Sequence, residues 1–320
     1  MKKIFASTLI LIMLSIVSSA YASDILNSGA SARQIGLGKA FTAVVGDSSS
    51  IFVNPAGISG ISTVEATSMF GQLSGEINYN KTGVVIPTGI GVFGIGYASN
   101  RAGDLYTTTI EANGRVGLST SFGYEDSVLL MSYGNTIKKN DERLRYGLNL
   151  KYYIKGTGDI VGSKGRGINA DLGMDYDMTK KVRAGLVIRN ILRGNLGSII
   201  WDNNTNEELP LTASMGLSMK IRDDATANFD LNITENNLIE GNVGLEINLN
   251  RNMAVRLGAE EKSLGTAGSY VNLSGGVGLN IKDTVKIDYA YYYDSLLPDN
   301  SRSFVSISLC FNSPAKATQK

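Results

Sequence analysis

Few residues in this sequence are of types that do covalent chemistry, and their spacing keeps them apart. The acid pairs Asp223-Asp224 and Glu260-Glu261 come nearest to a carboxylate dyad. Hydrolysis by paired carboxyls needs both groups to converge on one bond. Neighbours in an extended chain point to opposite faces, and the first pair falls in a turn. With no histidine in the chain, Ser-His-Asp and Cys-His nucleophiles, imidazole proton transfer and His-ligated zinc cannot be built. Cys310 is the single cysteine, so an intrachain disulfide or a thiolate cluster is excluded. Gly36-Leu37-Gly38 has the look of a dinucleotide-binding loop, but no strand pattern precedes it and the sixth position is Phe41. Asn203-Asn204-Thr205 fits a glycosylation sequon, a pattern that chance supplies often. The sequence therefore predicts no enzyme, no cofactor and no metal site. Thirty Lys+Arg against 29 Asp+Glu leave no basic surplus to track a phosphate backbone, so nucleic acid is not an expected partner.

With chemistry set aside, the question becomes what the remaining elements are built to hold. The first residues carry Lys2 and Lys3, an apolar run from Leu9 to Val17, and Ala20-Tyr21-Ala22 with small residues at the outer two positions. This is the order of an export signal, and it predicts a signal peptide over 1–22. No later run reaches 18 consecutive apolar residues, so a helical span is excluded. Export without such a helix leaves a soluble exported protein or a β-barrel in an outer membrane.

From residue 64 onward, apolar residues recur at every second position, the period of a strand. In residues 142–154, Leu144, Tyr146, Leu148, Leu150, Tyr152 and Ile154 fall on one face, with Arg145, Asn149 and Lys151 on the other. Counting such runs gives about 14 strands between residues 63 and 311, an even number of the kind bacterial barrels use. Phase is unclear at residues 77–86 and at 127–133, where Val128, Leu129, Leu130 and Met131 are all apolar. Short polar gaps at 87–89, 136–141, 178–179, 222–224, 250–252 and 282–284 alternate with longer ones at 100–123, 155–166, 190–208, 262–269 and 294–301. One rim with turns and one with loops is the expected result. Alternation alone also fits a β-sandwich. Runs of about ten residues, the alternating gaps and aromatics near strand ends favour a transmembrane antiparallel barrel in contact with outer-membrane lipid. The polar face then lines a lumen with Arg145, Lys151, Asp171, Asp175, Asp230, Glu246, Arg256, Glu260 and Asp288 among its charges, which must be hydrated, cross-paired or plugged.

Two local features bear on transport. In the third strand Gly89, Gly91, Gly94 and Gly96 follow closely on Pro87, a composition suited to a kink that interrupts pairing. The same glycines would equally accommodate chain packed against the wall. In the loop at 190–208, Leu192, Leu196, Ile199, Ile200 and Trp201, the only tryptophan, form an apolar cluster that reads as an outer contact for a greasy ligand or a protein partner.

Residues 23–62 differ in character. Asp47 is placed to cap a short helix through residues 48–52, and Asn54-Pro55-Ala56-Gly57 is turn-like by composition. Gly29, Ala30, Arg33, Gly36, Gly38, Ala40, Phe41, Asp47 and the Asn54, Pro55, Ala56, Gly57 block together resemble the N-terminal signature of FadL-type outer-membrane transporters and the related PorV-like barrels. Leu37 stands where that signature has Met, and the spacing from Gly29-Ala30 to Arg33 is looser. The resemblance implies a 14-stranded barrel with residues 23–62 folded inward as a hatch, and a polar tail at 312–320. For the FadL branch it implies passive uptake of hydrophobic, fatty-acid-like small molecules, with exit beside a kinked third strand. For the PorV branch it implies docking of secreted proteins.

Overall fold

The computed structural model of the chain describes residues 24–73, 77–110, 114–157, 164–235, 238–263 and 268–311. The expected signal peptide and the tail at 312–320 lie outside them. Among the described residues no helix is long and apolar enough to cross a membrane.

The strands are β1 (Val64–Leu73), β2 (Ile77–Thr88), β3 (Gly91–Ile110), β4 (Val116–Lys139), β5 (Glu142–Gly156), β6 (Lys164–Asp177) and β7 (Val182–Arg189). They continue with β8 (Ser198–Trp201), β9 (Asn206–Glu208), β10 (Thr212–Lys220), β11 (Ala225–Thr234), β12 (Ile239–Asn248) and β13 (Met253–Ser263). The last are β14 (Ser269–Ile281), β15 (Val285–Tyr293) and β16 (Arg302–Phe311). Neighbours in sequence pair antiparallel, β7 pairs with β10 across the β8–β9 hairpin, and β1 pairs with β16 from Val64↔Phe311 to Gly71↔Phe304. Fourteen strands thus close into a barrel with no free edge, the expected fold class.

The expected faces hold. On β5, Tyr146, Leu148, Leu150, Tyr152 and Ile154 are exposed on the outer surface, while Arg145, Asn149 and Lys151 are buried inside. A water-soluble wall would not turn a continuous apolar belt outward around a charged interior. The chain is a membrane-spanning β-barrel. The unclear phases have a physical cause. Val128 and Leu130 point inward and are fully buried, because the chain filling the lumen presents apolar side chains there. Where both faces of the wall meet apolar surroundings, alternation is lost.

One connection differs from expectation. Residues 100–123 are mostly strand: β3 and β4 pair beyond the end of β2 as far as Ile110↔Val116, with register shifts between Ala102 and Leu105 and between Tyr106 and Thr108. The Thr-rich run Thr107-Thr108-Thr109 favours extended backbone, yet its lack of a clean apolar alternation made it read as a loop.

Candidate functional site

The lumen is filled by residues 24–61, which run from the loop rim down to the start of β1 at the turn rim. Local capping shapes this hatch. Asp24 accepts the Leu26 N–H at 3.0 Å, and Ser31 accepts the Gln34 N–H at the start of α1 (Ala32–Gly36). Asp47 caps Ser48–Phe52, as expected, although the helix is of the 3₁₀ type. Asn54-Pro55-Ala56-Gly57 is not a plain turn: Asn54 caps a 3₁₀ helix, Pro55–Gly60, with proline in its first turn where the missing N–H costs nothing. Asn54 Nδ2 also donates to Thr42 O at 2.8 Å, tying two passes of the hatch together. Ile35, Leu37, Phe41, Ile51, Phe52 and Ile58 form an apolar spine across the bore.

The wall is cut to receive this chain. Gly134, Gly147 and Gly173 stand directly opposite one another on β4, β5 and β6. A Cβ on Gly147 would fall within 2.6 Å of the Pro55–Ala56 peptide, and one on Gly173 would overlap Asn54 Oδ1. Gly185 and Gly216, paired across β7 and β10, receive Thr42 and Ala43 in the same way, and Gly244 and Gly258 on β12 and β13 receive Leu37 and Gly38. Seven of the 37 glycines in the sequence form this track, a line of close backbone approach.

Polar ties hold the hatch on the track. Arg33 Nη1 donates to Asp47 Oδ2 at 2.8 Å, while its Nε and Nη2 grip Glu246 on β12 at 2.9 and 2.8 Å. Glu246 is shared with Arg256, which reaches Asp288 at 2.7 Å. The Arg33 fork is bidentate on Glu246, the stronger geometry for such a pair. Asp230 Oδ2 accepts the backbone N–H groups of Phe41 and Thr42 at 2.7 and 2.8 Å, and Asn242 donates to Gly38 O. Lys39 reaches Glu260 at 2.8 Å, and near the loop rim Lys151 lies between Asp171 and Asp24. Most of these lumen charges are therefore cross-paired, and Asp230 is met by hatch backbone instead.

Burial works to raise the Asp47 carboxyl, but Arg33 and the Ser49 hydrogen bonds outweigh it and hold the group below the usual carboxylate range. For Asp24, burial is likewise outweighed by Lys151 and by donors from Leu26, Asn190 and Tyr153. Lys39 goes the other way: burial outweighs Glu260 and lowers it.

Of the hatch residues singled out in the sequence, Arg33, Asp47, Asn54 and Pro55 make these contacts directly. Ala56 and Gly57 lie buried in the helix that Asn54 caps, and Gly36 and Gly38 lie against Gly276 and Ala259 of the wall. Asp230 was read only as a lumen charge and not as a hatch tie, and Asn242 and Ser31 were missed. An inward acid facing Gly216 across the ladder is the signal that would have pointed to Asp230.

The third-strand kink is corrected. β3 pairs with β2 from Thr88↔Gly91 to Ile77↔Ala102 without a break, and with β4 without a shift from Val92 to Ala102. Pro87 lies in β2 opposite Val92, Gly89 lies in the turn, and Gly91 follows it at φ 138°. Gly94 and Gly96 face Ile51 and Phe52, so these glycines make room for the hatch and the wall stays closed here. The outer-loop cluster is also rearranged. Ile199 is fully buried, and Trp201 packs on the core and donates to Glu207 at 3.0 Å. Glu207 is in turn held by Lys155 of β5 at 2.8 Å. Leu196 and Ile200 remain exposed, and Leu192 is half-buried.

The hatch separates two cavities. One of about 270 Å³ lies toward the loop rim, with Ile25, Ile35, Tyr292 and Phe304 in its lining. One of about 830 Å³ opens at the turn rim, between Val44, Val45 and the cationic turns carrying Lys138, Arg143, Lys180 and Lys181.

No protein-family model matches the sequence, and no curated protein matches it either. Solved structures do. The toluene transporter TbuX of Ralstonia pickettii superposes with a TM-score of 0.62 at 13% identity, covering 89% of this chain and 99% of that one. The toluene transporter TodX of P. putida gives 0.62 at 13% identity over 91% and 100%. The fold is that of these transporters. A FadL homologue of Pseudomonas aeruginosa also matches, with a TM-score of 0.57 at 11% identity over 88% and 98%. The resemblance read from the N-terminal block is thus borne out at the level of the fold.

Proposed function

We propose that the chain is an outer-membrane barrel for passive uptake of small hydrophobic molecules. The signal peptide (1–22) is removed on export, the hatch (23–62) is the movable part, and the barrel (63–311) is its fixed frame. The observation that carries this reading is the stoppered bore: a closed wall, a hatch that fills it, and separate cavities on its two sides. Solved structures described as transporters and channels for toluene and monoaromatic hydrocarbons share this fold along nearly their whole length. In this reading the exposed Leu196 and Ile200 meet the incoming molecule, the outer cavity takes it up, and displacement of the hatch passes it on. Uptake is driven by the gradient alone. The test is uptake of radiolabelled toluene by cells whose lipopolysaccharide-bearing outer membrane carries or lacks the barrel. Uptake no faster with the barrel than without it overturns the proposal. Docking of secreted proteins is the less favoured reading, because Ile199 and Trp201 pack inward and only Leu196 and Ile200 of the cluster that supported it remain exposed.

A further inference from the structure

At the turn rim, cations stand where a sheet ordinarily keeps them apart. Lys138 of β4 lies directly opposite Arg143 of β5. Lys220 of β10 donates its backbone N–H to Lys181 O, beside β7, at 2.8 Å, which continues the β7–β10 ladder and sets a second like-charged pair face to face. Like charges directly opposite each other weaken a sheet. All four side chains line the turn-rim cavity of about 830 Å³. The acids of that cavity do not answer them. Seven cationic and four acidic residues form its lining. Asp177 is held by Arg145 and Arg183, each at 2.9 Å, and Glu246 by Arg33 and Arg256. Lys220 does reach Asp223 at 2.9 Å, a pair open to water on the next turn. Lys138, Arg143, Lys180 and Lys181 are exposed, and none has a carboxylate within 4.0 Å among the described residues. Within the chain this arrangement only costs stability; acidic groups from another molecule would offset it.

We propose that the turn-rim cavity is a docking site for an acidic segment projecting from a water-soluble protein of the periplasm. The place fixes the side, since the short turns of such barrels face the periplasm. Occupants nearer at hand do not fit. Residues 312–320 carry Lys316 and Lys320 and no Asp or Glu, so the charges of this tail repel it from the cavity. A second copy of the chain would present the same basic rim. Headgroups of the surrounding leaflet lie outside the wall, whereas these side chains line the bore within it. The occupant left is a protein whose carboxylates reach into the bore, where the two opposed pairs offer four cations. Shape agrees with charge. The cavity is concave, and its volume lies within the roughly 300–1,000 Å³ of preformed binding clefts. Its floor includes Val44 and Val45 of the hatch, so a segment that enters meets the stopper itself. Charge complementarity of this kind sets encounter rate and choice of partner more than tightness. The proposal goes beyond the uptake reading and holds whatever the barrel carries.

The test is fluorescence anisotropy of a labelled oligoglutamate peptide titrated with the full barrel in phosphatidylcholine nanodiscs. Saturable binding that weakens as salt is raised is expected, with none for oligolysine. The double variant Lys138→Glu/Lys181→Glu turns each like-charged pair into an opposite one. It should bind the peptide about five- to thirtyfold more weakly, while the wall melts no lower than before. Arg251→Glu/Lys282→Glu makes the same change of charge on turns outside this cavity and should alter binding by less than about twofold. Migration on a gel before and after boiling reports whether each variant is folded, and Lys138→Gln/Lys181→Gln stands in if the first is not. No binding of oligoglutamate, or equal weakening by the two double variants, overturns the proposal. So does selective retention of phosphatidylglycerol by the barrel in detergent that is lost in Lys138→Glu/Lys181→Glu, which would assign these cations to lipid. Toluene uptake by cells is read separately. Uptake without peptide binding removes the docking site and leaves the transport function standing, whereas peptide binding without uptake does the reverse.

Discussion

Arg33 joins the hatch to itself through Asp47 and to the wall through Glu246, so it is where a single substitution should loosen the stopper. Arg33→Gln leaves Glu246 with Arg256 alone and Asp47 without its cation. Breaking a fully buried pair costs about 3–5 kcal/mol. Since 27% of the Arg33 side chain meets solvent, the expected loss is smaller, about 2 kcal/mol. It should appear as faster proteolysis of the hatch and faster uptake, with the barrel intact on a gel. The same contacts set a pH dependence. Asp47 and Asp24 are held below the usual carboxylate range in the folded state. Their contribution is complete above the unfolded carboxylate pKa and is lost as pH falls through the depressed folded values. Protection factors of hatch amides, taken relative to the intrinsic exchange rate at each pH, should therefore stay flat from pH 7 to about 5 and fall only below about pH 4. At this scale the sequence was partly legible. Asp47 was readable as a cap because capping is a local rule, whereas Asn54 was read as part of a turn. Asp230 was not readable as a hatch tie, because its partners are backbone N–H groups nearly two hundred positions away in the chain.

At the level of elements, period and turn spacing located the fourteen wall strands, while the β3–β4 extension was taken for a loop and the glycines of β3 were left open between a kink and a close approach. Both have one source. A strand's neighbours, not its own composition, decide whether glycine marks a break or a close approach. The glycine track makes this testable. Gly147→Val puts a side chain onto the Pro55–Ala56 peptide, where backbone cannot move aside, and overpacking of this kind costs about 1–3 kcal/mol or more. The hatch segment 54–60 should become sensitive to protease while the wall remains folded. Gly89→Ala, where an added Cβ meets nothing within 4 Å, should change neither.

For the whole molecule, strand number explains why a stopper is needed. Eight-stranded barrels are filled by their own side chains, whereas barrels of 16–18 strands leave a water channel. Fourteen strands leave a bore too wide for the wall to fill and too charged to stay dry. Deleting residues 24–60 should give a barrel that still inserts but conducts ions steadily in planar bilayers, while the intact chain stays nearly silent. Fold class and the inward hatch were legible at this scale. The outer cavity was not, because its lining is drawn from the hatch and from strands far apart in sequence. The unbroken ladder along β3 carries a last consequence. On the proposed uptake route, with no breach there into the acyl phase, a solute that clears the stopper would emerge end-on into the aqueous periplasm. A greasy compound released there would partition straight back unless a soluble carrier collected it.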